Sequence, residues 1–331
     1  MTSMPLLLRM PWAGLAVLLL ASCGGAADGP IELSFGHVGA PGSLFAESAE
    51  EFARRANERL GDRARVVVYG SSQLGGDEVL LQKLRLGSVD FALPSTVMSS
   101  NIAEFGLFEM PYLVADREHM QRIETEMFWP ALAPLVRERG FEILAVWENG
   151  FRHVTNNVRP IYTPEDLAGI KLRTPSGVWR VRMFQAFGAN PTPMAFSEVF
   201  VALQTGVMDG QENPLAQIVA SRLQEVQRYL SLTRHVYTPA YVTVGTNSWN
   251  RLPEDVREIL AETARETQAY VYETAARMDI EFLEQLENAN VAVNEPRFET
   301  FAAVSNAIYA EFGSSVPGAQ ALLDHARRLA P

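Results

Sequence analysis

A chain of 331 residues with one cysteine, and with only two lysines among its 28 basic residues, closes off several possibilities at once. A single thiol, Cys23, leaves no internal disulfide to form. The five histidines, at positions 37, 119, 153, 235 and 325, show no HExxH spacing and have no cysteine near them, so no metal site is expected. A GxSxG elbow, a phosphate loop and a GxGxxG fingerprint are all missing, which removes the commonest signatures of hydrolases and nucleotide users. No cofactor is expected. Positive charge is scarce as well: a net charge of -11 and a pI near 5.1 give no bulk attraction to a nucleic-acid backbone or an anionic membrane. Any anion bound here has to be caught locally. Because Lys83 and Lys171 are the only lysines, arginine is the ordinary cation of this chain, and one arginine means little by itself.

What is present describes a globular protein with length for two lobes: 47% hydrophobic and 20% charged residues, with 23 Gly and 19 Pro. Residues 1–22 stand apart. Arg9 precedes the apolar run Trp12 to Leu20, which is too short to span a bilayer comfortably and ends in small residues, the pattern of a secretory signal. The run closes on Leu20-Ala21-Ser22-Cys23, which resembles the lipobox of bacterial lipoproteins and implies acylation of Cys23 as the mature N-terminus. An ordinary cleavable signal ending near Ala26-Ala27 is the alternative. Either way the protein is exported.

From Ile31 onward short apolar runs alternate with helical patterns, so an α/β fold is expected. Ile31 to Phe35 and Val66 to Tyr69 read as strands, and Ser43 to Leu60 reads as an amphipathic helix capped by Ser43 and stopped by Gly61. Two later segments resemble each other: Leu84-Arg85-Leu86-Gly87-Ser88-Val89-Asp90 and Leu203-Gln204-Thr205-Gly206-Val207-Met208-Asp209. Each reads as a helix end, a glycine stop and a strand entry, which suggests two similarly built lobes. The strands lead to Ser95-Thr96 in one case and to Gln211-Glu212-Asn213-Pro214 in the other, so their ends are expected to face one cleft. Between Pro253 and Asn290 no glycine or proline interrupts, and Val256, Leu260, Ala264, Thr267, Val271, Ala275, Met278, Phe282 and Leu286 step by three or four. That predicts a long helix able to brace both lobes, with a coiled-coil dimer seam as the competing use.

Three segments carry binding chemistry. In GIKLRTP, Gly169 to Pro175, alternation puts Ile170 and Leu172 on one face and Lys171 and Arg173 on the other, and Pro175 ends the strand just after Arg173. A guanidinium there offers a planar fork for a carboxylate; pairing with a neighbouring acid on a surface strand is the alternative. WENGFRHVTNN, Trp147 to Asn157, holds Arg152 and His153, either as an anion contact at a crossover between lobes or as a solvated loop. ANPTPMAFSEVFVALQTGVMDGQENP, Ala189 to Pro214, predicts a helix capped near Ser197 and aims the Asn213 amide at the cleft, while Phe196 is either core or a ligand-facing ring.

These motifs, with VYGSSQLGGD, GSVDFALPS and the helix after LPED, resemble the periplasmic substrate-binding proteins of tripartite ATP-independent periplasmic (TRAP) transporters, the DctP family. The likeness covers essentially the whole mature chain. It implies a two-lobed periplasmic binding fold spanned by a long helix, with residues 23–150 and about 238–278 in the first lobe and 151–237 and about 279–331 in the second. It implies that the chain is no enzyme but captures a small carboxylate and delivers it to a small and a large membrane subunit. Arg173 matches the family's carboxylate clamp, and Arg152, Asn213, Phe196 and His235 match further ligand positions. His37, Asp77, Ser95, Thr96, Ser176 and Trp147 complete the expected set, and Trp147 and Trp179 are candidates for apolar walls. Val38, Ser95 and Ser176 stand where sialic-acid-binding members carry asparagine, glutamate and asparagine, so a smaller acid is expected: a hydroxy or keto acid, a dicarboxylate or a uronate. A ligand-sensing lipoprotein that shows its closed form to a receptor, or an exported enzyme acting on a small acid, would use the same cleft.

Overall fold

The computed structural model describes residues 29–331; the signal segment and Cys23 lie outside them. The strands Ile31–Gly36 (β1) and Ala64–Tyr69 (β2) run parallel, because the helix Leu44–Leu60 between them carries the chain back along the sheet. That helix starts at its expected cap: the Ser43 hydroxyl accepts the Ala46 N–H at 3.2 Å. A second helix, Asp77–Leu86, delivers Phe91–Ala92 (β3) to the other side of β1. The remaining strands are Phe141–Phe151 (β4), His153–Asn156 (β5), Lys171–Thr174 (β6), Asn190–Pro193 (β7), Gly210–Asn213 (β8), Tyr229–Ser231 (β9), Tyr237–Gly245 (β10) and Ala292–Asn294 (β11). They form two sheets, ordered β2-β1-β3-β10-β4 and β11-β9-β5-β8-β6-β7.

The two look-alike segments occupy equivalent places. One ends the helix Asp77–Leu86, turns at Gly87 (φ 70°) and enters β3; the other follows the helix Val199–Gln204, turns at Gly206 (φ 74°) and enters β8. Both turns need the left-handed backbone that a Cβ disfavours, which is why both are glycine. β3 and β8 are interior strands of their sheets. One local expectation fails: Ser197 caps nothing, because a 3-10 turn, Phe196–Glu198, precedes the helix and uses the Ala195 carbonyl instead.

The chain crosses between sheets at Arg152, which separates β4 from β5, and again at Leu232–Val236, between β9 and β10. The crossings are bonded to each other, Arg152 N–H donating to the Val236 carbonyl at 3.0 Å. The long helix, Glu254–Asn288, is the third link; its 35 residues span about 52 Å at about 1.5 Å each. It packs on the helix Leu44–Leu60 and on β4 at one end, and on the helix Leu215–Ala220 at the other. Its apolar stripe is spent inside the chain: Val256, Leu260, Ala264, Thr267, Val271, Ala275, Met278 and Leu286 are all buried. The C-terminal helix, Ala319–Arg328, reaches back to the first half of the chain, where its Ala326 carbonyl lies 2.8 Å from His119 Nε2.

Candidate functional site

In open sheets the carboxyl ends of parallel strands leave loops and side chains free for a ligand. Both sheets aim those ends at one cleft. Val38 follows β1, Ser95 and Thr96 follow β3, Arg173 and Pro175 sit at the end of β6, and Asn213 ends β8; all line a single cavity. The space bounded by these residues is about 370 Å³ with open solvent included.

Arg173 is fixed before any ligand arrives. It lies on the same strand face as exposed Lys171, yet it is only 3% exposed. Its Nε and Nη2 donate to the Met194 carbonyl at 2.9 and 2.5 Å, and its Cζ stands 5.8 Å from the Phe196 ring centroid. Among the described residues no carboxylate pairs with it at ion-pair distance, so the surface-pairing alternative does not hold. Burial in this apolar setting pushes its pKa down to about 10, which still leaves it cationic at neutral pH.

Arg152 is buried too, but its charge is already matched within the protein. Nε donates to Glu212 Oε2 at 2.5 Å, and Nη2 donates to Glu212 Oε1 at 2.9 Å, to the Glu212 carbonyl at 2.7 Å and to Asn213 Oδ1 at 2.9 Å. Its anion is therefore Glu212. The same carboxylate receives Arg180 Nη1 at 2.7 Å, and Arg180 Nε lies 2.9 Å from Glu109 Oε2. Burial alone would raise the Glu212 pKa, but the two guanidiniums hold it well below the ordinary range. Glu109 goes the other way: burial outweighs Arg180 and pushes it up to about 7. His235 is pushed down to about 4 by burial, so at neutral pH it is uncharged; its Nε2 lies 3.0 Å from Glu212 Oε2 and its Nδ1 2.8 Å from Thr233 Oγ1.

A family profile described as bacterial extracellular solute-binding protein, family 7 (DctP) matches residues 35–315. The chain belongs to this family. Solved relatives include a TRAP periplasmic solute-binding protein from Bordetella bronchispeptica, with density attributed to pantoate, at 32% identity and a TM-score of 0.86 over 91% of this chain and 100% of that one. Another, from Polaromonas sp. JS666 bound to D-erythronate, is 30% identical with a TM-score of 0.86 over 90% and 98%. The C4-dicarboxylate-binding periplasmic protein of Rhodobacter capsulatus is 33% identical over 83% of each chain. This DctP-family chain is thus a periplasmic, non-catalytic solute-binding protein linked to TRAP membrane subunits.

Within the DctP frame, the expected site residues divide cleanly. Arg173, Arg152, Asn213, Phe196, Ser95, Thr96 and Asp77 line the cleft together. His235 stands behind it, holding Glu212. His37 turns its ring toward Gly70, where an added Cβ would fall 2.9 Å from Cε1, and burial pushes its pKa down to about 4. Half-buried Ser176 is not among the lining residues. Trp147 is core: it packs between Phe35 and Phe52, and its indole N–H donates to the Ala264 carbonyl at 2.9 Å, tying the long helix to the first sheet. Trp179 packs edge-on against Phe312 with centroids 5.1 Å apart, also away from the cleft. The walls are instead Val38, Phe45, Val97 and Phe196. Sequence reasoning passed over Asn149 and Gln217, which line the cavity, and the Glu109–Arg180–Glu212 network beneath it.

Proposed function

We propose that this protein captures a small organic acid in the interlobe cleft, with the ligand carboxylate seated on Arg173 and a further N–H from Asn213, and hands it to the small and large TRAP membrane subunits. One observation carries the reading: of three buried arginines near the cleft, Arg152 and Arg180 are satisfied by carboxylates of the protein, and Arg173 alone is not. A buried cation without a counter-charge is costly, so a ligand that supplies one is bound with that advantage. The D-erythronate bound by the Polaromonas relative, and the pantoate to which density in the Bordetella relative is attributed, are small hydroxy acids in keeping with this reading. The proposed lobes are residues 23–150 with about 238–278, and 151–237 with about 279–331, in keeping with the two sheets. Closure then needs only that ligand contacts favour the shut arrangement.

A thermal-shift screen over small carboxylates tests this. At 100 times its dissociation constant a true ligand adds about 2.7 kcal/mol of stability, and a panel of hydroxy acids, keto acids, dicarboxylates and uronates that shifts nothing would remove the reading. Recovery of the stabilising acid unchanged after incubation separates a carrier from an enzyme. We further propose lipid anchoring through Cys23 after removal of residues 1–22, supported by the Leu-Ala-Ser-Cys sequence. Fatty-acid labelling in the native host should be present in the natural chain and lost in Cys23→Ser; equal labelling of both rules the anchor out.

A further inference from the structure

We infer that the ligand is a monocarboxylate bearing at least two hydroxyl groups, and that Asp77 and Asn149 select it by accepting those hydroxyls; this rests on Arg173 being the carboxylate anchor. The argument is an inventory of hydrogen-bonding valences around one cavity. On the side of the second sheet the free groups are donors. Arg173 spends Nε and one Nη2 contact on Met194, which leaves Nη1. Asn213 Oδ1 accepts from Arg152, a pure donor, so its amide orientation is settled; Nδ2 gives one hydrogen to Gln211 Oε1 at 2.6 Å and has a second to offer.

On the side of the first sheet the free group of fixed role is an acceptor. Asn149 Nδ2 donates to Ser95 Oγ at 3.1 Å and to Thr238 Oγ1 at 3.2 Å. Neither contact can be reversed, because the Ser95 hydroxyl already donates to the Pro239 carbonyl at 2.7 Å and the Thr238 hydroxyl to the Gly150 carbonyl at 3.3 Å. The Asn149 orientation is therefore fixed, and its buried Oδ1 has no donor in the protein. Asp77 Oδ1, at the start of the helix Asp77–Leu86, is likewise shut from solvent without a partner. Burial, with Glu78 beside it, pushes the Asp77 carboxyl up to about 7 against the opposing pull of Arg173, so near neutral pH it accepts when ionised and also donates when protonated, and a hydroxyl group serves it in either state. Thr96 Oγ1 and Gln217 Oε1, on the same cavity, are unpartnered and can adapt to either role.

A buried acceptor left unpaired carries a desolvation cost that only a donor removes. A second carboxylate would set like charge against ionised Asp77 and a further acceptor against Asn149, and a keto group would bring Asn149 only another acceptor. Hydroxyl hydrogens satisfy both oxygens, while the carbon chain lies against Val38 and Phe45.

Calorimetry on the mature chain with two length-matched series tests this: erythronate, butanoate, succinate and 2-oxobutanoate, and gluconate, hexanoate and adipate. In at least one series the hydroxy acid should bind 100-fold or more tighter than its deoxy, dicarboxylate and keto counterparts. Succinate, adipate or 2-oxobutanoate binding as tightly as the hydroxy acid overturns the inference while leaving carboxylate capture intact. No binding by any of the seven overturns both. Asp77→Leu should lower hydroxy-acid affinity at least tenfold and leave butanoate or hexanoate unchanged or tighter; an equal loss for both classes would assign Asp77 to shaping the cleft and refute its role in selection.

Discussion

Arg173→Ala is expected to weaken binding of the carboxylate ligand by about 2–5 kcal/mol, roughly 30- to 5,000-fold in dissociation constant. The size follows from what remains. With the guanidinium gone, the ligand carboxylate is still carried into a buried cleft but loses the one buried arginine that no carboxylate of the described residues pairs with, keeping the free N–H of Asn213. Arg152 recovers little of the loss: its Nη1 hydrogens are unspent on the cleft, but Glu212 already matches its charge. Arg173→Lys should recover only part of the loss: an ammonium keeps the charge but cannot bridge the Met194 carbonyl and the ligand with one rigid plane. Titration calorimetry of the two variants against the same acid decides the matter. Unchanged affinity in Arg173→Ala would move the anchor elsewhere.

The frame of this molecule was legible because its signals are local. Gly87 and Gly206 announce their turns, Pro253 precedes the long helix, and the three-and-four spacing from Val256 to Leu286 is the spacing of its buried face. Arg173 was legible for the same reason, as a charge alternating with core residues and followed by Pro175. What stayed hidden depends on partners far apart in the chain. Arg152 was visible as a charge at a crossover, but that its anion would be Glu212, sixty residues on, could not be read from either segment.

A signal did exist for part of the network. On the helix Val178–Ala186 the buried positions include Arg180, Met183 and Phe184, so a charged residue shares a face with apolar ones. A cation at such a position implies a buried anion, and Glu109 and Glu212 are both there. Asn149 carries the analogous signal, standing two residues from Trp147 and two from Phe151 on β4. Trp147 misled in the opposite sense: a tryptophan beside a binding motif suggested a ligand wall, whereas its ring packs into the first sheet's core against Phe35 and Phe52.

Beneath the cleft, Glu212→Gln is expected to cost about 3–5 kcal/mol of folding stability, lowering Tm by roughly 5–8 °C. The shape of the side chain is kept, but Arg152 and Arg180 lose the one carboxylate that both contact, and both are almost fully buried. The pH dependence identifies the mechanism. Because Glu212 is held well below the ordinary carboxylate range, its contribution is fully present above the unfolded pKa of about 4.3 and is lost only as pH falls through its lower folded value. The gap between the natural protein and Glu212→Gln should therefore stay constant from about pH 5.5 to 8 and narrow in acid. Glu109, raised to about 7 by burial, has the opposite sign: what it contributes is full below about pH 4.3 and declines as pH rises through 7. Denaturant unfolding across acid and neutral pH should show the Glu212→Gln gap growing with pH only in acid and then staying flat, and the Glu109→Gln gap shrinking between about pH 4.3 and 7. A Glu212→Gln protein as stable as the natural one would mean that the two arginines find other partners, and that the cleft floor is not held by this carboxylate.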